Sequence, residues 1–232
     1  MKTITFNISA KALRAVALFA SHDTVRFAMN SVLLEYRPTN GGNTYGLLVA
    51  TDGRRIGCCS AGITSGVLGC ADSLDVIIPL SLIKFIRKAD KEITLVLQET
   101  EKLPLDDKIK RPLFRITIED GSSVQKSAME IEGTFPKWRS VVPKEIKPTV
   151  SSTIYLNPLL LSDFCAAQDI YKTDFKSLRS MLITNSGGEE SPILISFNGC
   201  TGKFFGIIMP LRAGSKEDTT MTIPSYAQDG AK

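Results

Sequence analysis

The sequence predicts an α+β fold in which a β-α-β-β-β unit occurs three times, with each helix lying on one face of an antiparallel sheet. Three observations predict it. Apolar residues at helical spacing follow a short strand-like run at three places, around Leu13, Ile83 and Phe164. Asp-Gly pairs, the hairpin signal, stand between strand-like runs at Asp52-Gly53 and Asp120-Gly121. Pro136, Pro143 and Pro148 interrupt the chain between the second and third units, where neither helix nor central strand can run.

In the first unit, Thr3 to Ile8 alternates as a strand. Ser9 is a candidate N-cap. Ala10 to Ala20 carries Leu13, Val16, Ala17 and Ala20 on one helical face, with Lys11 and Arg14 on the other. Val25 to Arg37, Thr44 to Thr51 and Arg54 to Cys59 read as strands. In the second unit, Leu74 to Ile78 is a strand, and Pro79 and Ser81 open a helix through Ala89 that buries Leu82, Ile83 and Ile86. Its polar side shows Lys84, Arg87 and Lys88. Glu92 to Leu97, Leu113 to Glu119 and Ser123 to Glu132 complete the unit around a charged loop, Glu99 to Lys110. In the third unit, Ser152 to Leu156 is a strand. Asn157 caps a helix that has Pro158 at its first position and runs to Tyr171 over Leu160, Leu161, Phe164 and Ala167. Leu178 to Thr184, Ile193 to Phe197 and Lys203 to Leu211 follow as strands, and the polar tail from Ala213 reads as mobile.

Bulk properties narrow the function classes. With 232 residues, 43% hydrophobic and 22% charged, the chain can bury a real core, which excludes disordered and collagen-like classes. A net charge of +4 is too small to indicate nucleic-acid binding by itself. The five cysteines are odd in number and lack C-x-x-C spacing, which reads as reduced, mostly buried thiols in a cytoplasmic protein. His22 has no partner for a zinc site, and Asp106 and Asp107 read as solvated. No P-loop, G-x-S-x-G or H-E-x-x-H motif is present, so no catalytic residues, metal or cofactor are expected. Lys11 and Arg14 break the one mildly apolar N-terminal run, and no stretch suits a membrane span.

Three segments carry a family resemblance. Val49-Ala50-Thr51-Asp52-Gly53-Arg54-Arg55-Ile56 resembles the A-T-D-G-x-R-L segment of the bacterial DNA polymerase III beta subunit, the sliding clamp. Phe135-Pro136-Lys137-Trp138-Arg139-Ser140-Val141-Val142-Pro143 resembles the family's F-P-x-Y-x-x-V-x-P, with Trp138 in place of Tyr. Ile207-Ile208-Met209-Pro210-Leu211-Arg212 resembles its V-M-P-M-R-L ending. The three stand in the family's order, within the family's repeat. On this resemblance, the sequence is expected to lack the family's first domain and to hold its last domain shortened to one unit.

The resemblance implies a DNA-clamp fold divided as residues 1–134, a full clamp domain; 135–149, a linker; 150–212, a half-domain; and 213–232, a tail. It implies a processivity factor, not an enzyme. Copies would close into a ring around duplex DNA without reading its sequence, four by counting units, or three if the C-terminal stretch is a compressed full domain. A hydrophobic groove would take peptide motifs of polymerases and the clamp loader. Carried over, the groove comprises Thr51, Gly53, Arg55, Ile56, Pro136, Val141, Ile207, Met209, Pro210, Leu211 and Arg212. Lys11, Arg14, Lys84, Arg87 and Lys88 would face the DNA. On the residues alone, these basic groups read as solvated faces, and Ile207 and Met209 as core strand; it is the resemblance that turns both readings. A second functional reading is a clamp-like regulatory protein that binds polymerase or loader motifs without encircling DNA.

Overall fold

The computed structural model describes residues 2–38, 45–63, 72–101, 112–119, 125–145, 154–171, 180–185, 187, 190–197 and 204–211. Strand β1 (Thr3–Ser9) buries Ile4, Phe6 and Ile8 and turns the intervening polar residues outward. Ser9 then caps helix α1 (Ala10–Ala17), its Oγ accepting the Ala12 N–H at 3.2 Å. The helix stops three residues short of the expected Ala20, and turns that bring the Phe19 and Ala20 N–H groups to the Val16 and Ala17 carbonyls continue it. Strand β2 (Ser31–Arg37) begins later than the run from Val25 suggests. The Asp23 carboxylate accepts the Val25 N–H at 2.9 Å and holds the preceding residues in turns. β3 (Tyr45–Thr51) and β4 (Arg55–Ser60) flank the Asp52-Gly53 turn.

The second unit runs β5 (Leu74–Pro79), α2 (Leu80–Ile83), β6 (Glu92–Glu99), β7 (Phe114–Glu119) and β8 (Gln125–Met129). Helix α2 is a single turn and does not reach Ala89. Beyond it, Phe85 and Ile86 bond back three residues, and the Asp90 carboxylate takes the Arg87 N–H at 2.9 Å, offering the backbone an alternative to further helix. The third unit supplies α3 (Pro158–Tyr171), β9 (Met181–Asn185), β10 (Ile193–Phe197) and β11 (Phe204–Ile208). Asn157 caps α3 through its Oδ1, which accepts the Leu159 N–H at 2.9 Å. Phe164 and Ala167 of α3 are buried, while Leu160 and Leu161 are half-buried. The expected strand before α3 is described only from Ile154, and there Tyr155 forms an isolated bridge to Leu211. The Asp120-Gly121 turn, most of the 99–110 loop, Asp106, Asp107, Cys70, Cys200 and the 213–232 tail lie outside the described residues.

Two sheets result. One has the order β1-β6-β7-β8, the other β5-β2-β3-β4-β11-β10-β9. The first strand of each of the first two units leaves its own unit: β1 lies antiparallel on β6, with Phe6 opposite Leu95, and β5 lies on β2, with Leu33 opposite Ile77. The two units therefore interlock by reciprocal strand exchange. Glu130 ties the sheets together, its carboxylate accepting from Ile77 N–H (3.3 Å) in one and Phe114 N–H (3.2 Å) in the other. The third unit joins through the antiparallel pair β4·β11, where Gly57 stands opposite Gly206. A Cβ on Gly57 would come 2.2 Å from the Phe19 ring, and one on Gly206 2.0 Å from the Phe164 ring. Those rings touch at a centroid distance of 4.5 Å, so the paired glycines let the inner layer settle onto the seam.

The main core lies between the sheets and helices α1 to α3. A second core covers the opposite face of the seven-stranded sheet: Leu33, Val49, Ile56, Cys58, Ile77 and Ile207 meet Phe135 and Trp138. The strands of that sheet are apolar on both faces for this reason. Burial raises the Cys58 thiol to about 12 and that of Cys59 well above its ordinary value. Cys58 and Cys59 are buried free thiols, and Cys165 is an exposed one. No helix of the described residues is long and apolar enough to cross a membrane.

Candidate partner-binding groove

The site grows from the turn between β3 and β4. Gly53 adopts φ +88°, the left-handed conformation that glycine accepts without steric cost. Thr51 Oγ1 donates to the Arg55 carbonyl at 2.7 Å and accepts the Gly53 N–H at 3.0 Å. Asp52 Oδ1 takes the N–H groups of Arg54 and Arg55 at 2.9 and 3.1 Å. The turn is thus locked by its own side chains. Beyond β11, the Met209 N–H bonds the Arg54 carbonyl at 2.9 Å, which draws Met209 alongside the turn.

The opposite wall is the proline-containing segment, which packs tightly. Trp138 to Val141 forms a 3-10 turn, with Trp138 buried. Trp138 Nε1 donates to Glu35 Oε1 at 3.1 Å, and Arg139 grips both oxygens of the same carboxylate while its guanidinium lies 4.2 Å over the indole. Burial pushes the Glu35 carboxyl upward. The bonds from Arg139 and Trp138 and the positive charges of Arg139 and Arg37 outweigh burial, and the group sits below its ordinary value.

Between these walls lies a pocket of about 250 Å³, lined by the predicted residues Thr51, Gly53, Arg55, Ile56, Pro136, Val141, Ile207 and Met209. Ile56 and Ile207 are directly opposed across β4·β11 and form an apolar floor. Pro210 and Leu211 do not line the pocket: β11 ends at Ile208, and Leu211 turns to the Tyr155 carbonyl. Arg212 lies outside the described residues. Arg55 borders the pocket but directs its guanidinium to the helix side. There it pairs with Asp52 (3.0 Å) and Asp163, donates to the Leu160 and Leu18 carbonyls (3.1 and 3.3 Å) and lies 5.4 Å over the Phe19 ring.

Met29, Arg54, Lys137, Trp138 and Ser140 also line the pocket and were not predicted. Four of them lie inside the segments quoted above, where strict motif matching passes over intervening positions. Met29 comes from the loop before β2, and no local sequence signal marks it. A wider cavity of about 580 Å³ continues past Trp138 and Arg139 along Leu33, Glu35, Ile77 and Glu130.

The predicted basic residues lie on the helix side. Lys11 and Arg14 are half-exposed on α1, and Lys84, Arg87 and Lys88 are exposed just after α2 ends. Arg14 Nη1 reaches the Arg87 carbonyl at 3.4 Å, which brings the two groups of cations together. Arg87 is partly neutralised by Asp90, 3.1 Å away. Helix α3 has no Lys or Arg. Among the described residues no group of His, Cys, Asp and Glu could hold a metal, and His22 is exposed.

No protein-family model and no curated protein matches this sequence. Solved structures do match. The chain is similar to the DNA polymerase III beta subunit of Thermotoga maritima, at 13% identity and a TM-score of 0.62, over 91% of this chain and 66% of that one. It is similar to the sliding clamp of Bartonella birtlesii bound to griselimycin, at 18% identity and a TM-score of 0.63, over 92% and 67%. The beta clamp of Helicobacter pylori bound to a DNA ligase peptide aligns with a TM-score of 0.67 at 11% identity, again over 92% and 67%. The chain has the sliding-clamp fold. It spans about two thirds of the length of these clamps. At such identities the likeness is one of fold, and the clamp fold seen here is carried by the interlocked strand exchange and the β4·β11 seam.

Proposed function

We propose that copies of this chain encircle duplex DNA as a sliding clamp, and that the pocket beside the β4·β11 seam docks short apolar peptide motifs of a DNA polymerase and a clamp loader in the cytoplasm. The observation that carries the reading is the pocket itself. It brings together three segments distant in sequence, with an apolar floor from Ile56 and Ile207 and adaptable Met209 at its edge. Such a concave apolar site with few polar groups suits peptide side chains rather than turnover of a small substrate. We read residues 1–134 as a full clamp domain and 150–212 as a half-domain, so that the pocket lies where the two meet. The cations of α1 and of the α2 region supply weak positive charge for DNA, and their number is small enough to leave sliding unimpeded.

Isothermal calorimetry with a short Leu- and Phe-containing clamp-binding peptide tests the groove. Met209→Ala with Val141→Ala truncates two half-exposed walls and is expected to weaken binding at least about tenfold, with the thermal midpoint little changed. Unaltered affinity in that variant removes the groove reading. Retention on nicked circular DNA, lost on the linearised form at high salt, tests encirclement. Equal release from both, or a protein that is monomeric in solution, favours the non-encircling regulatory reading instead.

A further inference from the structure

Two cavities open on the outer face, and the stretch Pro136-Lys137-Trp138 lines both of them. On one side is the pocket of about 250 Å³ over Ile56 and Ile207. On the other is the cavity of about 580 Å³, whose apolar part comes from Leu33, Leu74, Ile77 and Phe135. Trp138 divides them and is fixed in place. Glu35 accepts its Nε1–H at 3.1 Å, and the Arg139 guanidinium lies 4.2 Å over its ring.

Most charges around these cavities are settled internally. Arg139 pairs with Glu35, Arg37 with Asp75, and Arg55 with Asp52 and Asp163. Glu130 is buried and accepts two backbone N–H groups. Arg54 and Lys137 are different. Both are exposed, and among the described residues neither has an ion pair. Arg54 borders the smaller pocket, whose described lining contains no carboxylate. Lys137 borders both cavities, so a chain that fills both meets this ammonium at the crossing. Its place in the F-P-x-Y-x-x-V-x-P pattern is an open one, so the charge belongs to this chain and not to the pattern.

We propose, on the groove reading above, that a partner's apolar motif is only the first of two anchors: a flanking segment outside the motif crosses Lys137 with an acidic side chain and seats an aromatic side chain in the larger cavity. Charge complementarity selects the acid, since a basic flank meets Lys137 and Arg54 with like charge. The cavity selects the aromatic. Phe135 and Trp138 offer ring edges and faces, and an aromatic side chain fills a wide space with few rotatable bonds to fix.

Calorimetry on the full chain tests this with the short Leu- and Phe-containing peptide and with the same peptide extended, at each end in turn, by Gly-Asp-Gly-Phe. One extension is expected to tighten binding at least about tenfold. Replacing the extension's Asp by Lys is expected to cost about two- to fivefold of that gain, the range for an exposed charge pair, and raising the salt to erode the same part. Lys137→Glu is expected to reverse the preference between the Asp and Lys extensions. Ser73→Trp, at an exposed position bordering the larger cavity, is expected to remove most of the gain. If Ser73→Trp fails to fold, the Lys137→Glu exchange decides. Binding of the short peptide with no gain from either extension overturns the second anchor and leaves the groove standing. A gain undiminished in folded Ser73→Trp, or an Asp-over-Lys preference unaltered by Lys137→Glu, also overturns the second anchor alone. Absence of binding by every peptide overturns groove and anchor together.

Discussion

Glu35 illustrates how one buried carboxylate fixes a wall of the pocket. Trp138 and Arg139 reach it from more than a hundred residues away and hold the 3-10 turn against the sheet. Its carboxyl lies below the ordinary value of 4.5 when folded, so the unfolded chain binds the proton more readily. The associated stability is present above that ordinary value and is lost as pH falls through the lower folded-state value. Urea denaturation at a series of pH values is expected to show this decline on the acid side and to show it flattened in Glu35→Gln. Arg139→Ala leaves the carboxylate with fewer partners and is expected to cost about 1–3 kcal/mol at neutral pH, discounted toward the lower end because the arginine is half-exposed.

At the scale of elements, hairpins, caps and amphipathic strands were legible because their determinants are local. Ser9 and Asn157 cap as predicted, and Ile193 to Phe197 matches its strand at both ends. The short α2 was not legible: Leu82, Ile83 and Ile86 keep helical spacing, yet competition from Asp90 ends the helix. Nor was the strand exchange, because periodicity gives a strand its buried face but never its neighbour. The lining of the pocket was legible only through the three resembling segments, and Met29 escaped even those. Glycine pairing across β4·β11 sets a further expectation. Gly206→Ala would place a methyl group within the Phe164 ring and meet the Ile56 carbonyl at 2.9 Å. A loss of about 1–3 kcal/mol in thermal or urea unfolding is expected, with the seam loosened and peptide affinity lowered alongside.

For the whole molecule, the notable property is asymmetry in what each border invites. The first two units complete each other, the seam adds a third, and among the described residues β9 is the last strand of the seven-stranded sheet. The outer face holds the pocket, while the helix face gathers the cations of α1 and of the α2 region. Arg55 runs between these faces. Its backbone and stem border the pocket, and its charged end fastens the β3–β4 turn, the end of α1 and the first turns of α3. Drift at this residue would be punished twice, once by misplacing the turn at the pocket and once by unseating the inner layer. Its neighbour Arg54 is exposed and carries no such double duty. Lineages adapting to new partners therefore have room to vary the second of these arginines and very little to vary the first.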